Sequence, residues 1–195
     1  MQCVILVLAS IAPVTIAAAV AARLAGLVST DAMVETALAA GEEPGMLTFA
    51  AMFLASPVQW LTGRTQVRVR KFLGIVFFLL ALSNGAMFAV DEGVTSSFSE
   101  PFLIAGSLAL LLATPLFLTS SRWSQRRLGL RRWQLLHKAT YVIGALLIVH
   151  VAMIPGELEL GLTAGMIALG FAARLPLIQR WLTRRGSRRR SAHAS

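Results

Sequence analysis

One cysteine and three histidines among 195 residues close off several classes of protein at once. Cys3 has no second thiol to join, so no internal disulfide frames the fold, and this cysteine reads as inert. No G-x-G-x-x-G or P-loop string occurs, and the apolar runs use most of the length, which leaves no room for a separate nucleotide-binding domain. A Ser-His-Asp set, a zinc-ligand spacing and a carboxylate pair within an apolar run are missing too. That argues against a protease, a metallohydrolase and a proton-coupled transporter. Acidic residues are also scarce, nine against eighteen Lys and Arg, for a net charge of +9. On a soluble domain that excess would suggest nucleic acid. Here the cations sit in short gaps beside apolar runs, so they report topology and contact with anionic lipid instead.

Hydrophobic residues are abundant, at 56% of the chain with a mean hydropathy of +0.72, and they place it among integral membrane proteins. The charges between the runs never mix. Asp31, Glu35, Glu42 and Glu43 fill the first gap, Asp91, Glu92 and Glu100 the third, and Glu157 and Glu159 the fifth. Arg64, Arg68, Arg70 and Lys71 fill the second gap, and Arg122, Arg126, Arg127, Arg131 and Arg132 the fourth. The tail carries Arg180, Arg184, Arg185 and Arg188 to Arg190. Only Arg23 breaks the alternation. Because Lys and Arg are retained on the cytoplasmic face, the pattern predicts an all-α polytopic protein with six transmembrane helices and both termini in the cytoplasm.

The expected spans run from Val4 to Ala22, Met46 to Leu61, Phe72 to Val90, Pro101 to Leu118, Trp133 to Ile154 and Leu158 to Ile178. The first is expected to be retained rather than cleaved, since no Lys or Arg precedes it to form a signal peptide's positive n-region. Thr30, Asp31 and Glu35 are expected to start a short interfacial helix in the first loop. Trp60, Trp123, Trp133 and Trp181 all fall at the basic boundaries, where indole rings prefer the interface. Pro155 and Gly156 make the turn between spans five and six tight. The bundle is thus expected over 1–179, with 180–195 as a basic, disordered tail.

Of the histidines, His193 lies in the tail, whereas His137 and His150 share span five. An ionisable or ligating group inside a membrane helix is costly to hold, and so marks a functional position. Thirteen residues separate the two, about 20 Å of helical rise and roughly 140° of rotation, which suits two sites at different depths better than one shared ligand. His137 follows the Arg131-Arg132-Trp133 belt, so a snorkelling interfacial histidine is one reading and a functional role the other. His150 lies deeper, and is either a hydrogen-bonded structural imidazole or a ligand to haem iron in a helical interior.

The string Arg126-Arg127-Leu128-Gly129, then Arg131-Arg132-Trp133-Gln134-Leu135-Leu136-His137-Lys138 and Tyr141, ending in His150, resembles the ferric-reductase-like transmembrane superfamily. Within it, the likeness is to haem-binding membrane subunits that supply electrons to periplasmic methionine sulfoxide reductases. Ser56-Pro57-Val58-Gln59-Trp60-Leu61-Thr62-Gly63, Arg70-Lys71-Phe72-Leu73-Gly74 and Thr119-Ser120 are similar to further segments of that family, over about residues 46–153. The resemblance implies a bundle binding b-type haem, with His150 and His137 as axial ligands of iron and room for FMN. It also implies a cytoplasmic flavin reductase or membrane quinol as donor and a periplasmic reductase subunit as acceptor, in a bacterial inner membrane.

The family also places a ligating histidine on span three, ten residues after the glycine of its Leu-Gly pair. Counting ten from Gly74 reaches Asn84, whose partner by depth is His150. Three readings follow. His150 ligates haem alone beside an open position; Met87, one turn beyond Asn84, supplies a thioether or simply packs; or the haem is absent and the chain is a non-redox scaffold or partner subunit.

Overall fold

The computed structural model describes residues 30–63, 65–91, 99–154 and 158–192, and among these every regular element is helical. Cys3, the first apolar run and His193 lie outside the described residues. Helix α1 (Thr30–Thr62) pairs with α2 (Val67–Asp91), and α3 (Pro101–Leu118) leads into the short α4 (Arg122–Leu128). Then α5 (Leu130–His137) and α6 (Ala139–Ala152) run almost as one, followed by α7 (Leu158–Ala172) and α8 (Pro176–Ala192).

The ends of these helices follow from local chemistry. Pro101 opens α3 at a position where its missing N–H costs nothing. Ser121 caps α4 by accepting the Ser124 N–H at 3.0 Å, supplying a partner that the first turn lacks. Gly129, with φ of +75°, makes the sharp joint between α4 and α5 in a conformation that a side chain would resist.

Two seams hold the bundle together. Ala105, Ala109 and Ala113 recur every four residues along the buried side of α3, and small side chains there let α6 approach closely with Ile143, Leu147 and Val151. The second seam is aromatic. Phe49 meets Phe77 at 4.8 Å between ring centroids, Phe53 meets Phe171 at 4.8 Å, and Phe78 stacks on Phe117 at 4.3 Å.

Four segments are long and apolar enough to cross a membrane, namely Pro44–Thr62, Val67–Ala86, Pro101–Leu118 and Leu130–Ala152. No more than 44% of any of them is buried inside the bundle. The remaining apolar surface is what a span offers to lipid or to a partner helix. These segments overlay the expected spans two to five. The helix expected at Thr30 is not a separate interfacial piece but continues through Pro44 into α1.

The expected sixth span is broken rather than one continuous helix. A helix from Leu158 to Ile178 does not form, because α7 ends at Ala172 and the chain bends by 83° into α8. Pro176 has no N–H to continue the ladder, and its ring steers Leu175 away from helical geometry. Counting the bent pair as one span gives five among the described residues. Residues 180–192, expected in a disordered tail, lie in α8.

Arg174 sits in the bend and joins it to α1. Its Nη2–H donates to the Phe53 carbonyl at 2.7 Å, and its Nη1–H to the Gly170 carbonyl. The first bond has a cause in α1: Pro57, four residues after Phe53, has no N–H for that carbonyl. The second serves a carbonyl in the last turn of α7, where a cation also suits the helix dipole. The guanidinium lies 4.1 Å above the Phe53 ring, so the Ser56-Pro57 segment and the bend form one unit.

Candidate functional site

Two cavities open at different depths between the helices, and each contains one of the span-five histidines. The first, of about 470 Å³, is lined by His137, Trp133 and Tyr141 together with Arg70, Lys71, Lys138 and Arg174. No acidic side chain lines it among the described residues. The second, of about 350 Å³, is lined by His150, Asn84, Ser107, Gly85, Gly106 and Phe102 within otherwise mostly apolar walls. Phe77 lines both.

His137 is fixed from within its own helix. Trp133 anchors α5 to the end of α3 by donating its Nε1–H to the Thr119 carbonyl at 2.8 Å. The His137 imidazole stacks on that indole at 3.9 Å and places Nδ1 3.1 Å from the Trp133 carbonyl. A carbonyl only accepts, so the bond puts the proton on Nδ1 and leaves the Nε2 lone pair uncommitted in the neutral ring.

His150 is fixed across the bundle. Its Nδ1 lies 2.6 Å from the carbonyl of Phe102, in the first turn of α3, and the same argument gives an Nδ1–H donor and a free Nε2 lone pair. This is how a ligating histidine is usually oriented, with the second nitrogen held by a carbonyl. Gly106 leaves room for the ring, since a Cβ there would stand 3.1 Å from both Cε1 and Nδ1 and press on it.

Asn84 lines the His150 cavity from α2, and its Oδ1 is buried without a hydrogen-bond partner. Such an atom is costly to leave dry, and a water or another hydrogen-bond donor in the cavity would satisfy it. Met87 is on the same helix, but its side chain lies outside the described residues. Tyr141 packs edge-on against Phe53 at 5.8 Å and faces Arg174 rather than a cavity histidine.

His137 and His150 therefore do not share a site, in keeping with their rotation along the helix, while Asn84 and His150 do. Gly106 and the Phe102 carbonyl escape sequence reasoning. A small residue in a span more often serves close packing, as Gly74 does beside Met52 and Gly170 beside Phe53, and a main-chain acceptor leaves no mark in composition. Arg174 carries a signal that is readable afterwards, a cation shortly before a proline at the end of an apolar run.

The sequence has counterparts among known proteins. Residues 45–148 match the family described as ferric reductase like transmembrane component. Subunits named "Protein-methionine-sulfoxide reductase heme-binding subunit MsrQ" from Brucella ovis and Brucella suis are 40% identical over 107 residues. The match covers 51% of this chain and 48% of each relative. The same identity and coverage hold for the Brucella anthropi protein, so the matched stretch spans about half the length of these relatives. No solved structure matches.

Proposed function

The chain belongs to the ferric reductase-like transmembrane family, and from that premise we propose that it is a multi-pass membrane electron-transfer subunit that binds b-type haem. The observation that carries the reading is the pair of cavities at two depths. Each holds one imidazole whose Nδ1 is bonded to a main-chain carbonyl and whose Nε2 is left to bind iron. The donor set suits haem, since imidazole is a good ligand for iron and both volumes fall within the range of cofactor pockets. When bound, the group supplies one-electron redox chemistry. The chain's own residues orient the imidazoles, surround the deeper cavity with mostly apolar walls, and place Phe77 against both chambers.

Electrons enter from a cytoplasmic flavin reductase or a membrane quinol at the His137 side. The cations Arg70, Lys71, Lys138 and Arg174 there suit the phosphate of FMN or the propionates of haem. They leave on the opposite face to a periplasmic acceptor, and the name of the Brucella relatives points to a methionine sulfoxide reductase. The segregation of charge supports the bacterial inner membrane with basic loops on the cytoplasmic side. Under this orientation a reporter fused after Ser195 reads cytoplasmic and one inserted near Gly93 reads periplasmic. The reverse pattern inverts the direction of electron flow and removes this assignment.

A second reading, a haem-free scaffold or partner subunit of the same fold, draws on Asn84 in place of an imidazole across from His150. The absorption spectrum of the purified, dithionite-reduced protein separates the two. Electron transfer requires the sharp bands of a b-type haem in stoichiometric amount. A protein that stays colourless with haem supplied during expression is a scaffold.

A further inference from the structure

The deeper cavity is lined by three polar side chains, Asn84, Ser107 and His150, of which Asn84 and His150, on different helices, do not bond to each other. His150 on α6 holds a ring nitrogen with a free lone pair, and Asn84 on α2 holds a buried carboxamide oxygen with no partner. A carboxamide is a poor ligand for iron where imidazole is a good one, so the two are not equivalent ends of a bis-ligated site. They differ in what they ask for as well. The imidazole lone pair can take a metal ion or a hydrogen-bond donor, whereas Asn84 Oδ1 takes a donor, and a carboxamide Nδ2–H can donate to an acceptor.

Resting on the haem reading above, we infer that His150 is the single protein ligand to iron in this cavity and that Asn84, lining the same cavity from α2, is a positioning residue for a small exogenous ligand of that iron. Water satisfies the orphaned oxygen by donating to it, and a diatomic such as carbon monoxide accepts from the amide instead. The walls add no competing charge, and Gly85 beside Asn84 lets Leu110 approach closely, since a Cβ there would stand 3.2 Å from its methyl. The polarity, donors and access of the far face decide whether a haem only relays electrons or also binds small ligands. This chain is built for the second at the His150 depth.

The test compares the full-length protein with its Asn84→His and Asn84→Leu variants, purified in detergent, by absorption and resonance Raman spectra with and without carbon monoxide. The wild type is expected to show a high-spin or weakly ligated ferric haem and to bind carbon monoxide when reduced. Asn84→His converts that haem to six-coordinate and low-spin and weakens carbon monoxide binding by about tenfold or more, since an internal imidazole now competes. Asn84→Leu keeps carbon monoxide binding but moves the carbon–oxygen stretching frequency, because the amide bond to the ligand is gone. A merely structural asparagine leaves that frequency where it was, and that result overturns the inference. So does a coloured wild type that is wholly low-spin and inert to carbon monoxide, which assigns the sixth position to a thioether such as Met46 in the cavity wall or Met87. A wild type without any haem band is a different failure, and removes the electron-transfer reading itself.

Discussion

His150→Ala is expected to strip the deeper cavity of its haem, with retention falling at least about 100-fold. Loss of the axial ligand exceeds the 10- to 100-fold effects typical of the groups that merely orient one. The measurement is haem per protein by pyridine haemochrome, alongside the reduced spectrum. His137→Ala leaves this cavity's haem in place, because the two imidazoles line separate chambers. A graded variant separates ligation from folding. Gly106→Leu keeps His150 but drives a side chain into the 3.1 Å space beneath its ring, breaking the bond to the Phe102 carbonyl. Its haem retention is expected to fall about tenfold, between wild type and His150→Ala. Haem content equal to wild type in His150→Ala excludes ligation at this position.

Arg174→Met is expected to lower stability by about 2–4 kcal/mol, since two charge-assisted hydrogen bonds are lost while the methionine stem keeps the contact with Phe53. The mechanism predicts a coupling that a generic core defect does not show. In a Pro57→Ala background the new N–H at position 57 serves the Phe53 carbonyl, and Arg174→Met then costs about 1–2 kcal/mol less. Chemical unfolding of the four proteins in one detergent gives the cycle. Additive losses mean that the proline and the arginine act independently.

Much of the bundle is legible in the sequence because membranes simplify the problem. A span must be apolar and its flanks must carry charge, so Pro101 to Leu118 is readable to the residue. The depths of Asn84 and His150 follow by counting from Lys71 and Lys138. The end of α7 is not readable in this way. Leu175, Leu177 and Ile178 continue the hydropathic run past the bend, and only Pro176 with Arg174 marks the break. The cavities are harder still. Whether a span glycine admits a neighbouring helix or the edge of an imidazole depends on which helix faces it, and Gly106 and Gly144 look alike until α6 and α7 are placed: one meets His150, the other Phe171.

The Arg174 bond to Phe53 reaches across 121 residues, and that distance sets an order of events during synthesis. Helix α1 leaves the ribosome long before its last acceptor is served, and at Phe53 the bilayer offers no water to stand in. The nascent chain therefore carries an open rung in its earliest described helix until the bend at Arg174 has been made. The stretch shared with the family ends at residue 148 and cannot close it alone. Completion of the earliest described helix is deferred by 121 residues of synthesis, so a chain interrupted before that arginine is left with a defect buried in α1.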